Sequence, residues 1–141
     1  MAHASFTRRT ALALALGLSL SAGTMAQNWP DKPIRIVVGF APGGFTDVLA
    51  RTIGQKLQDR LGQAVVVDNK AGAAGTVGAD IVAKARPDGY TLLLGHSNSN
   101  SVAPALYPKL PYDVVKDFTP IIRVASTPLL LTVNPLSLIH I

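Results

Sequence analysis

Apolar and polar residues in the first part of the chain follow two different periods. Residues Ile34 to Phe40 form a nearly unbroken apolar run, which is typical of a strand covered on both faces in a parallel sheet. From about Thr46 to Leu61 a leucine or isoleucine recurs every fourth residue, and Gly62 follows. This period predicts a helix with one buried stripe and a glycine at its carboxyl end. The predicted stripe consists of Leu49, Ile53, Leu57 and Leu61.

The alternation of strand and helix continues along the chain. Short connections between alternating strands and helices call for right-handed crossovers. We therefore expect the α/β class, with a parallel sheet flanked by helices. The further predicted elements are a strand at Ala64–Val67, a helix at about Thr76–Ala85, a strand at Tyr90–Gly95, a short helical turn at Ala103–Leu106, and strand-like runs at Thr119–Ala125 and Leu129–Val133.

Three loops follow the predicted strands and would lie at one edge of such a sheet. Ligands of open parallel sheets bind beyond the carboxyl ends of the strands, so these loops form the candidate site. They are Ala41–Asp47, Asp68–Gly75 and Gly95–Asn100.

The first of these loops joins a strand to the first turn of a helix. Unpaired backbone N–H groups and the positive end of the helix dipole coincide there, an arrangement that suits a carboxylate or a phosphate. The loop lacks the Gly-Lys-Ser/Thr ending of a nucleotide-binding P-loop. The alternative interpretation is that the glycines only permit a sharp turn while a side chain caps the helix. The residues concerned are Pro42, Gly43, Gly44, Phe45, Thr46 and Asp47.

The other two loops carry weaker indications. Residues 72–78 contain three glycines, but not in the Gly-x-Gly-x-x-Gly spacing of a dinucleotide site. Close packing of a helix against a strand therefore explains them better than a bound nucleotide. Hydrogen-bonding side chains cluster after the third predicted strand, at His96, Ser97 and Asn98. These are candidates for ligand contact, and a solvated loop is the alternative.

Catalysis and metal binding find little support in the sequence. The chain has no cysteine among its 141 residues, which excludes disulfides and thiolate metal sites. It has no Gly-x-Ser-x-Gly elbow for a nucleophile, and its three histidines are dispersed. We interpret Asp88, Asp113 and Asp117 as turn and cap residues. The basic residues are scattered without interleaved aromatics, which argues against nucleic-acid binding. We expect neither an enzyme nor a cofactor.

The amino-terminal residues have the features of an export signal. A pair of arginines precedes an apolar run from Ala11 to Leu20, which is too short to span a bilayer as a mature helix. We expect residues 1–26 to be removed, with cleavage after Ala22 or retention as a membrane anchor as the alternatives. Removal would lower the formal charge from +5, because it takes two arginines and no acidic residue.

The order of several motifs resembles the Bug-type periplasmic substrate-binding proteins of tripartite tricarboxylate transporters. Several motifs in one order are more specific than any one of them, and the resemblance covers about Asn28 to Pro135. The motifs are Trp29-Pro30-Asp31-Lys32-Pro33 with the strand after it, Pro42-Gly43-Gly44 with Asp47 and Arg51, Leu61-Gly62-Gln63, Val66-Val67-Asp68-Asn69-Lys70, Gly72-Ala73-Ala74-Gly75, Pro87-Asp88-Gly89-Tyr90-Thr91-Leu92, Leu110-Pro111-Tyr112-Asp113 and Lys116-Asp117-Phe118.

The resemblance implies a monomeric, two-lobed periplasmic receptor of the type II binding-protein kind. Such a receptor captures a small carboxylate, often a di- or tricarboxylate, and delivers it to the membrane permease subunits of the transporter. Carried over here, the turn Pro42–Asp47 and the loop His96–Asn98 would hold a ligand carboxylate, partly through ordered water. Family members commonly carry small or hydroxyl residues where Phe45 and His96 stand, so we expect a ligand that differs from the usual ones.

The resemblance also sets the expected domain organisation. Residues 27–135 would be the N-terminal lobe, and residues 136–141 do not resemble the continuation of the family into a second lobe. We therefore expect a truncated chain that carries half of a cleft. The alternative functions are a small exported α/β hydrolase or dehydrogenase, an interaction module, and a fragment without function.

Overall fold

Three parallel strands form the sheet, and the strand that comes first in the chain lies at its centre. The computed structural model describes residues 28–128 and 130. The strands are β1 (Ile34–Val38), β2 (Val65–Asn69) and β3 (Thr91–Leu94), in the order β2-β1-β3. Both pairings of β1 are parallel, with Ile36 opposite Val67 on one side and Leu92 on the other. The predicted parallel α/β architecture is confirmed.

Helices connect the strands in the predicted order. Helix α1 (Phe45–Leu61) joins β1 to β2, and α2 (Thr76–Ala83) joins β2 to β3. Gly62 ends α1 in the left-handed conformation, with φ +68°, and its N–H donates to the carbonyl of Gln58. A π-helical turn (Asn98–Val102) and the short α3 (Ala103–Leu106) follow β3. The predicted helix boundaries hold to within two residues, and the predicted polar loop after β3 is helical.

Helix α1 packs on one face of the sheet through small residues. Ile36, Val38 and Ala50 form the buried cluster between β1 and α1. The fully buried positions of α1 are Asp47, Ala50 and Gly54, whereas the predicted leucine and isoleucine stripe is only half-buried. A Cβ on Gly54 would lie 3.3 Å from the Cγ1 of Val65. The helix therefore approaches the sheet along its small residues, and the larger side chains flank that contact.

Helix α2 packs against the end of β1 by backbone contact. A Cβ on Gly39 would lie 2.7 Å from the carbonyl oxygen of Gly75 and 2.8 Å from its Cα. A Cβ on Gly78 would lie 2.8 Å from the Cα of Gly39. For Gly75 and Gly78, the predicted role of letting the helix pack closely on the strand is confirmed.

The main difference between the predicted and the observed elements lies at the end of the described chain. Residues 119–128 form no strand and pair with no described strand. The strand predicted at Thr119–Ala125 is therefore wrong. Ile121 and Ile122 are each 78% exposed. The predicted signal (1–26), the run Leu129–Val133 apart from Leu130, and residues 136–141 lie outside the described residues. Within the described part, no helix is long and apolar enough to cross a membrane.

Candidate functional site

The loops that follow the three strands meet at one edge of the sheet, as the sequence predicts. With the strand order β2-β1-β3, the connection through α1 runs from β1 to its neighbour β2, and the connection through α2 passes back over β1 to β3 on the other side. Sheets of this topology bind ligands where the connections change side, which here is the border between β1 and β3. We call this border the crevice. The Pro42–Asp47 turn follows β1 and the His96–Asn98 segment follows β3, so the two predicted anchors flank this crevice.

The carboxylate of Asp47 holds the first loop together. It accepts hydrogen bonds from the backbone N–H of Gly43 at 2.8 Å, from Nε of Arg51 at 3.0 Å and from Nδ2 of Asn69 at 2.9 Å. The same Arg51 pairs with its second oxygen at 3.0 Å. Asp47 is only 3% exposed. Its charge is thus compensated inside the fold, one helical turn from the cation that pairs with it.

These contacts also set the ionisation of the carboxyl group. Hydrogen bonds from Arg51, from the N–H of Gly43 and from Asn69 favour the charged form, and they lower the pKa of Asp47 from 3.8 to about 2. The carboxylate lies in the first turn of α1, where a negative charge also interacts well with the helix dipole. Asp47 is therefore a charged residue at any neutral pH.

The turn leaves backbone donors at the start of α1. The N–H of Val48 donates to the carbonyl of Gly44 at 3.0 Å and is the first N–H of the helix with a backbone acceptor. Among the described residues, the N–H groups of Gly44, Phe45 and Thr46 have no acceptor. All three residues are at least partly exposed. The arrangement can bind an anion through two or three N–H groups, and Gly43 is excluded from it because its N–H is held by Asp47.

Asn69 connects the loop after β2 to the same turn. Its Nδ2 donates to the carbonyl of Phe40 at 3.1 Å as well as to Asp47, and its Oδ1 accepts from Nη2 of Arg51 at 3.1 Å. Sequence reasoning placed Asn69 in a loop at this edge but assigned no role in the site to Asn69 or to Arg51. The signal that could have found them is an Asp–Arg pair at the i, i+4 spacing together with an asparagine at the end of a neighbouring parallel strand.

The segment after β3 is held by the ring of Phe40 and by its own backbone. The rings of Phe40 and His96 are in edge-to-face contact, with their centroids 4.9 Å apart. The N–H of Asn98 donates to Nδ1 of His96 at 3.1 Å, and the hydroxyl of Ser97 lies 3.5 Å from the same nitrogen. The structure therefore brings His96, Ser97 and Asn98 together at the edge of the crevice.

The loop after β2 closes the third side of this edge with a strained backbone. Ala73 and Ala74 have φ of +44° and +57°, and Gly72 and Gly75 flank them at φ +148° and +92°. Left-handed backbone at a residue with a Cβ costs about 1–2 kcal/mol. A Cβ on Gly75 would lie 3.2 Å from the ring of Phe40, so this loop buttresses the ring that contacts His96.

The remaining acidic candidates serve local turns, as the sequence predicts. Asp113 accepts from the N–H groups of Val115 and Lys116, and Asp88 accepts from the N–H of Tyr90. The carboxylate of Asp117 accepts from the N–H of Asp113 at 2.7 Å. Within the described residues, no group of three His, Cys, Asp or Glu side chains is placed to hold a metal ion.

The family described as tripartite tricarboxylate transporter family receptor matches residues 49–140 of the chain. Among curated proteins, BugT of Bordetella pertussis (strain Tohama I) is 47% identical over 117 residues, which are 82% of this chain and 36% of BugT. The chain spans 36% to 40% of the length of the first curated relatives that it matches.

Solved structures give the same picture. The periplasmic binding protein BugD superposes with a TM-score of 0.63 and 46% identity, over 66% of this chain and 31% of BugD. MatC of Rhodopseudomonas palustris, solved with bound malate, superposes with a TM-score of 0.62 and 47% identity, over 65% of this chain and 31% of MatC. The similarity thus covers most of the described residues and about a third of each of these two proteins.

Proposed function

Because the chain belongs to the tripartite tricarboxylate transporter receptor family, we propose that it captures a small carboxylate in the periplasm and delivers it to the permease subunits of such a transporter. The family is one of receptors, so the function expected from the sequence, binding without catalysis, agrees with it. The chain acts as a monomer in this proposal. Residues 1–26 are its export signal, and residues 27–135 are the N-terminal lobe of a two-lobed receptor.

The observation that carries the proposal is the set of free backbone donors at the start of α1. The N–H groups of Gly44, Phe45 and Thr46 lack acceptors among the described residues, and they belong to the connection that follows β1, the strand next to β3. A carboxylate there gains charge-assisted hydrogen bonds and the favourable end of the helix dipole. MatC, a structural neighbour, was solved with malate, which supports a dicarboxylate as the ligand class.

The predicted site residues divide into two roles in this proposal. Gly44, Phe45 and Thr46 donate backbone N–H groups to one ligand carboxylate. His96, Ser97 and Asn98 form the second anchor across the crevice. Pro42, Gly43 and Asp47 set the geometry of the turn without contacting the ligand, because the carboxylate of Asp47 is engaged by Gly43, Arg51 and Asn69.

Isothermal titration of the full chain with malate and succinate tests the proposal. The expected result is saturable one-site binding that is lost in Gly44→Val. Gly44 has φ −79° and ψ 170°, and a Cβ there would lie 3.7 Å from its nearest neighbour, the carbonyl oxygen of Ala41. Valine therefore fits the backbone, and its branched side chain covers the neighbouring donors. Gln55→Val, on the exposed face of α1, is the matched control and should bind as the unmodified chain does.

A chimera with the C-terminal part of BugT distinguishes two explanations for an absence of ligand binding. Binding by the chimera but not by the chain alone would mean that this chain supplies only half of the site. No binding by either protein would contradict the proposed function. In that case the chain is better explained as an interaction module or as a fragment without function.

A further inference from the structure

We infer that His96 is held in the Nε2–H tautomer and selects, through that N–H, for ligands with a second acceptor oxygen besides the anchored carboxylate. This inference rests on the proposed function for its ligand, and on the contacts of the imidazole ring for its chemistry. The position of the ring, the state of each nitrogen and the resulting selectivity are three separate steps.

The position of the ring is fixed by packing. Its edge-to-face contact with Phe40, at 4.9 Å between centroids, places it at the border of β1 and β3. Phe40 is itself held between the core cluster of β1 and α1 and the backbone of Gly75. His96 is half-buried, so the ring combines a supported position with partial exposure to solvent.

The state of each nitrogen follows from the hydrogen bond at Nδ1. The backbone N–H of Asn98 lies 3.1 Å from this nitrogen and can only donate, so Nδ1 must offer a lone pair. In a neutral imidazole the proton then resides on Nε2. Among the described residues, Nε2 has no hydrogen-bond partner. The ring therefore presents one free, directed N–H donor.

The selectivity follows because His96 comes after β3 and the first anchor comes after the neighbouring strand β1, so both lie at the same edge of the sheet. The N–H groups of Gly44 to Thr46 take up one carboxylate, and they would serve a monocarboxylate equally well. A ligand gains from His96 only when it carries another oxygen that can accept a hydrogen bond. Succinate and butyrate form a suitable pair, because they differ by a carboxylate in place of a methyl group at one end.

The tautomer is measured without any ligand. Long-range proton–nitrogen NMR correlations of the full chain in mildly alkaline buffer, assigned by comparison with His96→Gln, should show a protonated Nε2 and an unprotonated Nδ1. The opposite tautomer, or a rapid exchange between the two, would overturn the first half of the inference whatever the chain binds.

The selectivity is the ratio of succinate affinity to butyrate affinity. It is measured in the unmodified chain, in His96→Phe and in His96→Gln, and again in each of these after fusion to the C-terminal part of BugT. Loss of one hydrogen bond to a charged acceptor should lower the ratio about tenfold or more in His96→Phe. The glutamine amide restores a donor at a reach similar to Nε2 and should keep the ratio within about threefold. A purely structural role would weaken both ligands alike and leave the ratio unchanged.

The outcomes distinguish this inference from the proposed function. Succinate binding with the same ratio in His96→Phe would refute the role of His96 and leave the proposed function standing. Absence of binding to either acid, in the chain and in the completed protein, would refute the proposed function and the selectivity together. Recovery of the ratio by glutamine but not by phenylalanine would support both.

Discussion

Replacing Gly39 by alanine tests whether the sheet and α2 meet by backbone contact. The added Cβ would lie 2.7 Å from the carbonyl oxygen of Gly75 and 2.8 Å from its Cα. Both are backbone atoms, so neither can rotate away as the tip of a side chain could. Overpacking of this kind typically costs about 1–3 kcal/mol, and we expect the upper part of that range.

Gly62→Ala is the matched control, because it carries a backbone cost without a clash. Gly62 has φ +68°, and no atom lies within 4 Å of the Cβ that alanine would add. The left-handed conformation alone should cost about 1–2 kcal/mol. Gly39 is not in the left-handed region, so the two substitutions separate steric from conformational strain.

Urea unfolding followed by circular dichroism measures both variants. A loss of about 3 kcal/mol in Gly39→Ala corresponds to a fall in Tm of about 12–24 °C for a domain of this size. The Gly39 variant should also weaken carboxylate binding, because the displaced strand end carries Phe40, which contacts His96. If Gly39→Ala costs less free energy of unfolding than Gly62→Ala, the close approach of β1 and α2 is wrong.

Three further predictions concern the contacts around the site. Asp47 has a pKa of about 2 against the usual 3.8, so its charged form stabilises the fold above pH 4, and this stabilisation is lost as the pH falls toward 2. The free energy of unfolding of Asp47→Asn should therefore depend less on pH in that window than that of the unmodified chain. Equal pH dependence would contradict the assignment. Tyr112→Phe removes a 2.8 Å hydrogen bond from a buried hydroxyl to the carbonyl of Ser99 and should cost about 1 kcal/mol in urea unfolding, an unchanged midpoint counting against it. Asn69→Leu should weaken malate binding in titrations more than Gln55→Leu does, because it frees the turn from β2; equal affinities would show that the turn holds without Asn69.

The parallel sheet and its functional edge could be predicted from the sequence because each depends on local pattern. The apolar run at Ile34–Phe40 contains β1, which is buried on both faces, and two further apolar runs contain β2 and β3, which are only partly buried. Once the strands are parallel, topology alone places the loops that follow them at one edge. The prediction that Pro42–Asp47 and His96–Asn98 lie at the same edge of the sheet therefore required no knowledge of side-chain contacts.

The face that α1 buries could not be predicted in the same way. The leucine and isoleucine period suggested that the largest side chains point inward, yet Asp47, Ala50 and Gly54 are the buried positions. Helix and sheet approach each other along Gly54, whose missing side chain leaves room for Val65. A hydrophobic period identifies a helix, but close packing through small residues shifts the buried face away from the largest side chains.

Two of the motifs that carry the family resemblance meet far from the ligand edge. The ring of Trp29 lies 5.9 Å from that of Tyr90, and the ammonium group of Lys32 lies 4.2 Å above the same tyrosine ring. Lys32 also pairs with Asp88 at 3.2 Å. These residues attach the lead-in of β1 to the turn before β3, at the amino ends of the strands. Similarity to the family at these motifs therefore reports the scaffold and leaves ligand identity to the other edge.

The role of Asp47 is the point at which the sequence alone is least informative. An acidic residue in the first turn of a helix is equally compatible with capping the helix and with contacting a ligand. In the structure its carboxylate accepts hydrogen bonds from Gly43, Arg51 and Asn69. The negative charge of Asp47 and the donors of these three residues are therefore paired with one another and do not contact a ligand. Without Arg51, a buried carboxylate beside the crevice would repel an incoming carboxylate. With the pair closed, the helix dipole and the free N–H groups determine the local field, which is the condition under which this turn can hold an anion.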